Sequence, residues 1–238
     1  MATTSHRMID GSMLTVSSPD QNLGKPVSTF GWIHVGSLGE SHPFMVQPPG
    51  YSYTLEQNMP PMPDGTDVGA VSEFTIKSGV LRVADVMIPT SYGVERHMTI
   101  GAWEGQQGCV WTSRSNSSVP EMIAMFDSLD FVSSTEGVYF LSDLDPAPRP
   151  PRCIKELTDF AVVTFAPLTQ DAISKLPSDP GEIVAHGELY RVSDDMKALM
   201  LVTSSTVVTV DPLDRDEVVA DEFASKVAEL DAMWQAPQ

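Results

Sequence analysis

Five histidines and two cysteines have the widest chemical range of any side chains in this chain. His6, His34, His42, His97 and His186 are scattered from end to end, and Cys109 and Cys153 stand far apart. Structural zinc sites usually draw ligand pairs from within two to five residues of one another. No pair here falls at that spacing, so a metal centre would need ligands converging from distant segments, and none is expected. A single histidine beside a carboxylate is enough for proton transfer. His97 or His186 paired with a carboxylate from another strand is therefore one example of a dispersed catalytic arrangement that stays open. Two thiols cannot make a disulfide framework, and each lies beside an apolar residue (Val110, Ile154), so buried reduced cysteines are expected.

Two acidic runs invite a calcium reading: Asp143-Leu144-Asp145 and Asp211 to Glu217. Calcium takes six or more oxygens at fixed offsets around a central glycine, and neither run has that pattern. The second run reads instead as a capped helix start, with Asp214 and Glu217 forming an acidic capping box. Nucleotide and nucleophile signatures are missing. Gly24-Lys25 is the sole Gly-Lys pair and is followed by Pro26, so there is no phosphate loop. There is no Gly-x-Gly-x-x-Gly, Gly-x-Ser-x-Gly, Ser-x-x-Lys or His-Glu-x-x-His run. Asn116-Ser117-Ser118 is a formal glycosylation sequon with no secretion signal beside it. No catalytic residue, cofactor or metal is assigned.

Charge narrows the partners. The 238 residues carry 14 basic and 32 acidic groups, a net of −18. Nucleic-acid and anionic-membrane surfaces demand clustered Lys and Arg. No two basic residues are adjacent here, so neither partner is expected. No apolar stretch reaches membrane-spanning length, and Met1 to Asp10 has no apolar run of a secretory signal. The expected setting is cytoplasmic, or soluble within a larger assembly. With 42% hydrophobic residues, the chain can bury a core without staples.

The elements that would position these residues follow from periodicity. A polar arm precedes a strand at Val27 to Val35. The region 36–69 is proline-rich and reads as a long irregular loop. Val71 to Lys77 and Val80 to Ile88 form a hairpin about Ser78-Gly79, and Arg96 to Ala102 with Gln107 to Thr112 form another. Ser118, Pro120 and Glu121 start a helix whose apolar face is Met122, Ile123, Phe126 and Leu129. After a strand at Gly137 to Leu141, residues 145–152 hold four prolines and form a stiff linker.

Beyond the linker come a strand at Phe160 to Ala166, a short helix capped by Thr169, and a strand over Glu182 to Val192. A hairpin at Lys197 to Val210 is followed by a long helix descending through Val219, Phe223, Val227, Leu230 and Trp234. Strand, strand and capped acidic helix thus occur twice, from Gly79 to Phe131 and from Gly187 to Trp234; β-β-α is a common unit that recurs without duplication, and duplication of one unit is the alternative.

The expected fold class is α+β: mainly antiparallel sheets with a few covering helices, in two β-β-α-containing modules. The expected domains are 1–35 (arm and first strand), 36–144 (first module with the loop 36–69), 145–152 (linker) and 153–238 (second module). The expected function is a non-catalytic structural or interaction subunit of a larger protein assembly, of the kind found in secretion machines or phage particles. Homo- or hetero-oligomeric contacts would run through loop residues Phe44, Tyr51, Tyr53, Met59, Pro60, Pro61 and Met62. The alternatives are an enzyme with a dispersed site, or a small-ligand or peptide-binding module with Trp103, Trp111 and Tyr139 on one sheet face.

Overall fold

The computed structural model describes residues 2–18, 26–49, 66–89, 95–135, 137–141, 149–157, 161–192, 198–213 and 220–237. The chain begins with β1 (Ala2–Arg7), β2 (Met13–Ser18), β3 (Pro26–Val35) and β4 (Glu40–Gln47). It continues with β5 (Asp67–Val68), β6 (Ser72–Ile76), β7 (Gly79–Pro89), β8 (Glu95–Glu104) and β9 (Cys109–Ser115). Then come α1 (Val119–Ser128), β10 (Phe131–Ser134), β11 (Gly137–Phe140), β12 (Arg152–Leu157), β13 (Ala161–Pro167) and α2 (Gln170–Ile173). The chain closes with β14 (Glu182–Val184), β15 (Gly187–Arg191), β16 (Leu199–Val202), β17 (Thr206–Pro212), α3 (Ala220–Ala228) and β18 (Asp231–Gln235).

The expected α+β class is overturned. Strands make up 59% of the described residues and helices 12%, so the fold is β-rich. Three expected elements differ from those observed. Glu182 to Val192 is not one strand but the hairpin β14–β15, with Val184 opposite Gly187. A Cβ at Gly187 would collide with the Val202 carbonyl, so the backbones approach there as only glycine allows. The start of the expected loop 36–69 is β4, a strand paired with β9 from Met45 to Gln47.

The third is the long C-terminal helix, which stops at Ala228, with Leu230 and Trp234 beyond it. Residues Asp231–Gln235 pair with Met13–Ser17, and long-range pairing overrides a local helical pattern. The turn before β17 also holds this strand: Thr203 Oγ1 donates to the Ala232 carbonyl at 2.8 Å, and the Trp234 N–H donates to Ser205 Oγ at 2.9 Å. The expected cap at Asp214 and Glu217 lies outside the described residues.

The chain divides into two compact units, Met1–Phe30 with Pro150–Gln238, and Gly31–Arg149. In the first unit, an antiparallel sheet runs in the order β14-β15-β16-β17-β13-β12 and then the start of β3. A second sheet, β1-β2-β18, shares its core. Val163, Phe165, Leu201, Val208 and Val210 meet Leu14, Val16, Trp234 and the α3 residues Phe223 and Val227. In the second unit the order is β4-β9-β8-β7, and β5 and β6 both pair with β7. Helix α1 covers one face with Met122, Met125 and Phe126, and Glu121 accepts from the Ser118 N–H at 2.8 Å. Gly101 leaves room for that helix, since a Cβ there would lie 2.7 Å from Phe126.

Trp103 anchors the helix-covered face. It is buried, donates to the Ile76 carbonyl at 3.2 Å, and meets Phe131 edge-on at 4.5 Å between ring centroids. Trp103→Ala is expected to lower the unfolding free energy of the second unit by about 3–5 kcal/mol, the usual cost of truncating a buried large aromatic. Denaturant titration followed by circular dichroism checks it.

Candidate functional site

His97 on β8 lies opposite Met87 on β7, and its Nε2 stands 3.5 Å from Asp85 Oδ1. The Thr99 hydroxyl lies within reach of both Asp85 Oδ1 (2.9 Å) and the Ser117 carbonyl (2.7 Å). His97 and Asp85 are both more than a third exposed, so the pair is a solvated surface contact rather than a desolvated acid–base couple. His186 sits 3.9 Å from Asp231, also at the surface. Sequence reasoning named both histidines as candidates for a carboxylate partner, and each has one. Among the described residues, no group of three His, Cys, Asp or Glu gathers in metal-binding array.

Trp103 and Trp111 do not share a face. Trp103 lies opposite Val110 and Trp111 opposite Ala102, and successive residues on a strand point to opposite sides. A binding surface built from both on one face is therefore ruled out by the register. Trp111 packs with Val86, Ile100, Ala102 and Cys109 on the side away from α1. Of the loop residues named as an interaction surface, Phe44 is buried against Phe126 and Phe140, so it belongs to the core. Tyr51, Tyr53, Met59, Pro60, Pro61 and Met62 lie outside the described residues.

Two features escaped the sequence reading. The first is a polar cluster inside the first unit. Lys155 on β12 is fully buried, and its Nζ donates to Thr4 Oγ1 on β1 at 3.2 Å. Thr4 Oγ1 in turn lies 3.2 Å from His6 Nε2. Among the described residues no carboxylate is within ion-pair reach of Lys155 or His6. Burial lowers the pKa of the Lys155 amine, against an opposing pull from Cys153. Burial, aided by the Lys155 charge, pushes His6 down to about 4. Burial pushes the Cys153 thiol up to about 12, so it is not a nucleophile at neutral pH. A lone lysine carries no motif, and only the strand period could have aimed Lys155 inward alongside Cys153.

The second feature is the outer face of the first unit's sheet. Residues opposite one another across a ladder share a face. The outward row Ile154–Thr164–Thr209–Met200–Tyr190 and the row Ala166–Val207–Val202–Glu188–Ile183 follow from the register. Most of these side chains are half-buried, Tyr190 is buried, and Ile183 at the rim is 79% exposed. An antiparallel sheet with one solvated face normally alternates apolar-in with polar-out. Here the outward positions are largely Val, Ile, Met, Ala and Thr. The alternation that should have flagged this face was missing, since strands apolar on both sides read simply as buried.

No family model matches the chain, and comparison with curated proteins and with solved structures finds no match.

Both cysteines are buried thiols. Neither is expected to react with a thiol reagent in the folded protein at neutral pH, and both are expected to react on unfolding. Thiol titration with and without denaturant checks it, and rapid native labelling of either would contradict the burial.

Proposed function

We propose that the chain is an interaction subunit of a larger protein assembly. Its docking surface is the outer face of the first unit's sheet, and the occupant is a second copy of this chain. The observation that carries this reading is the apolar make-up of that face. Ile154, Ala166, Val207, Val202 and Met200 line neighbouring strands with two threonines between them. Contiguous apolar patches of this kind mark docking sites on otherwise polar proteins.

Charge restricts where a second copy can approach. Two copies each carry a net charge of −18 and repel wherever charged surfaces meet. Among the described residues, the central row Ile154–Thr164–Thr209–Met200–Tyr190 carries no charge, with Arg152, Glu188 and Asp211 in the rows beside it, so this row allows two copies to approach. Sheets stack face to face about 10 Å apart, which suits interdigitating Val, Ile and Met side chains. No helix among the described residues is long and apolar enough to cross a membrane. The reading sets the chain among protein partners in a larger assembly.

Sedimentation of the purified chain over a range of concentrations tests the proposal. A dimer is expected, and Val207→Lys is expected to weaken it at least tenfold, because a charge placed centrally must be buried against the partner. Circular dichroism confirms that the variant folds. A chain that stays monomeric at every concentration, or a dimer that Val207→Lys leaves unchanged, would overturn the proposal.

A further inference from the structure

The geometry points to an acid-released latch: protonation of His6 beside the buried Lys155 frees β1 from the first unit. The strand β1 is the edge of its sheet and pairs with β2. Thr4 and His6 are the residues on β1 that meet the Lys155 amine through hydrogen bonds. The Thr4 hydroxyl has one proton. It accepts from Lys155, and where neutral His6 carries its proton on Nδ1 it donates to Nε2. Protonated His6 is a donor at both nitrogens, so the Thr4 proton loses its acceptor. Two cations then stand on either side of one hydroxyl in an apolar core.

Among the described residues, the titratable groups facing His6 are few. β12 offers Lys155 and Cys153, and the thiol stays neutral. β2 turns Leu14 and Val16 inward, and β13 turns Val163 and Phe165. No carboxylate among them offsets a new charge.

The sign follows from the direction of the shift. His6 is a base whose proton affinity is lowered in the folded state, from 6.5 to about 4. The free strand therefore takes up the proton first as pH falls. Retention of β1 is complete above about pH 6.5, weakens below it, and reaches its floor below about pH 4. Because His6 is only partly buried, the expected change in the opening equilibrium between pH 7 and pH 4.5 is about tenfold, well short of the full shift.

Hydrogen exchange read as protection factors, with intrinsic rates removed at each pH, tests this on the full chain. Protection of the Ala2–Arg7 amides is expected to fall about tenfold from pH 7 to pH 4.5, while amides of α1 in the other unit keep theirs. His6→Gln, which keeps an acceptor and never titrates, is expected to abolish the fall. Lys155→Met, which keeps the volume and removes the neighbouring charge, is expected to reduce it. The inference is overturned if protection of β1 does not change with pH, if α1 loses protection in step with it, or if His6→Gln behaves as the parent chain.

Discussion

The first unit depends on one ladder between distant parts of the chain, β2 against β18. Met13 to Ser17 on one side meet Asp231 to Gln235 on the other. That pairing places Leu14, Val16, Ala232 and Trp234 over the main sheet and closes the apolar core beneath them. A two-stranded ribbon alone is marginal in water, and three strands with a packed face are not. The third strand is what turns the β1–β2 hairpin from a polar arm into a lid on the core. It also fixes where α3 must end, because Thr203 and Ser205 take hold of β18 just beyond it.

Local pattern was read well where one face met water and the other met the core. The hairpins around Ser78-Gly79 and Gly105, the capping box at Ser118 and Glu121, and the Thr169 cap all stand as expected. In each the deciding chemistry lies within a few residues. The failures share a cause of the opposite kind. Leu230 and Trp234 continue a helical period through Val227, yet the chain leaves the helix because β2 offers a better partner. Pro43 argued against a strand, but β4 accommodates it, and the Pro43 carbonyl accepts from Thr112 at 2.7 Å. Strand pairing is a property of two segments, and a single segment carries only half of its signal.

The repeated strand-strand-helix order survives in part. The sequences β7-β8-β9-α1-β10 and β15-β16-β17-α3-β18 have the same element types. Their last strands differ in partner, since β10 joins β11 while β18 joins β2. The sites were less legible than the elements. Histidine positions suggested acid–base chemistry, yet the pairs at His97 and His186 are half-exposed at the surface. The buried amine of Lys155 and the apolar outer face depend on which way a strand faces, and that is settled by register.

Nesting one unit between two segments of the other has a consequence for synthesis. Residues 31–149 form a compact unit that is contiguous in sequence. The other unit joins residues 1–30 to residues 150–238, and its final strand is translated last. On the ribosome the inserted unit can therefore mature while β1 and β2 wait, apolar side chains uncovered, for β18 to arrive. Such a wait exposes strand edges to other chains. The polar outward ladder of that waiting hairpin (Thr3 to Ser17, Ser5 to Thr15) is suited to keeping it dispersed in the interval.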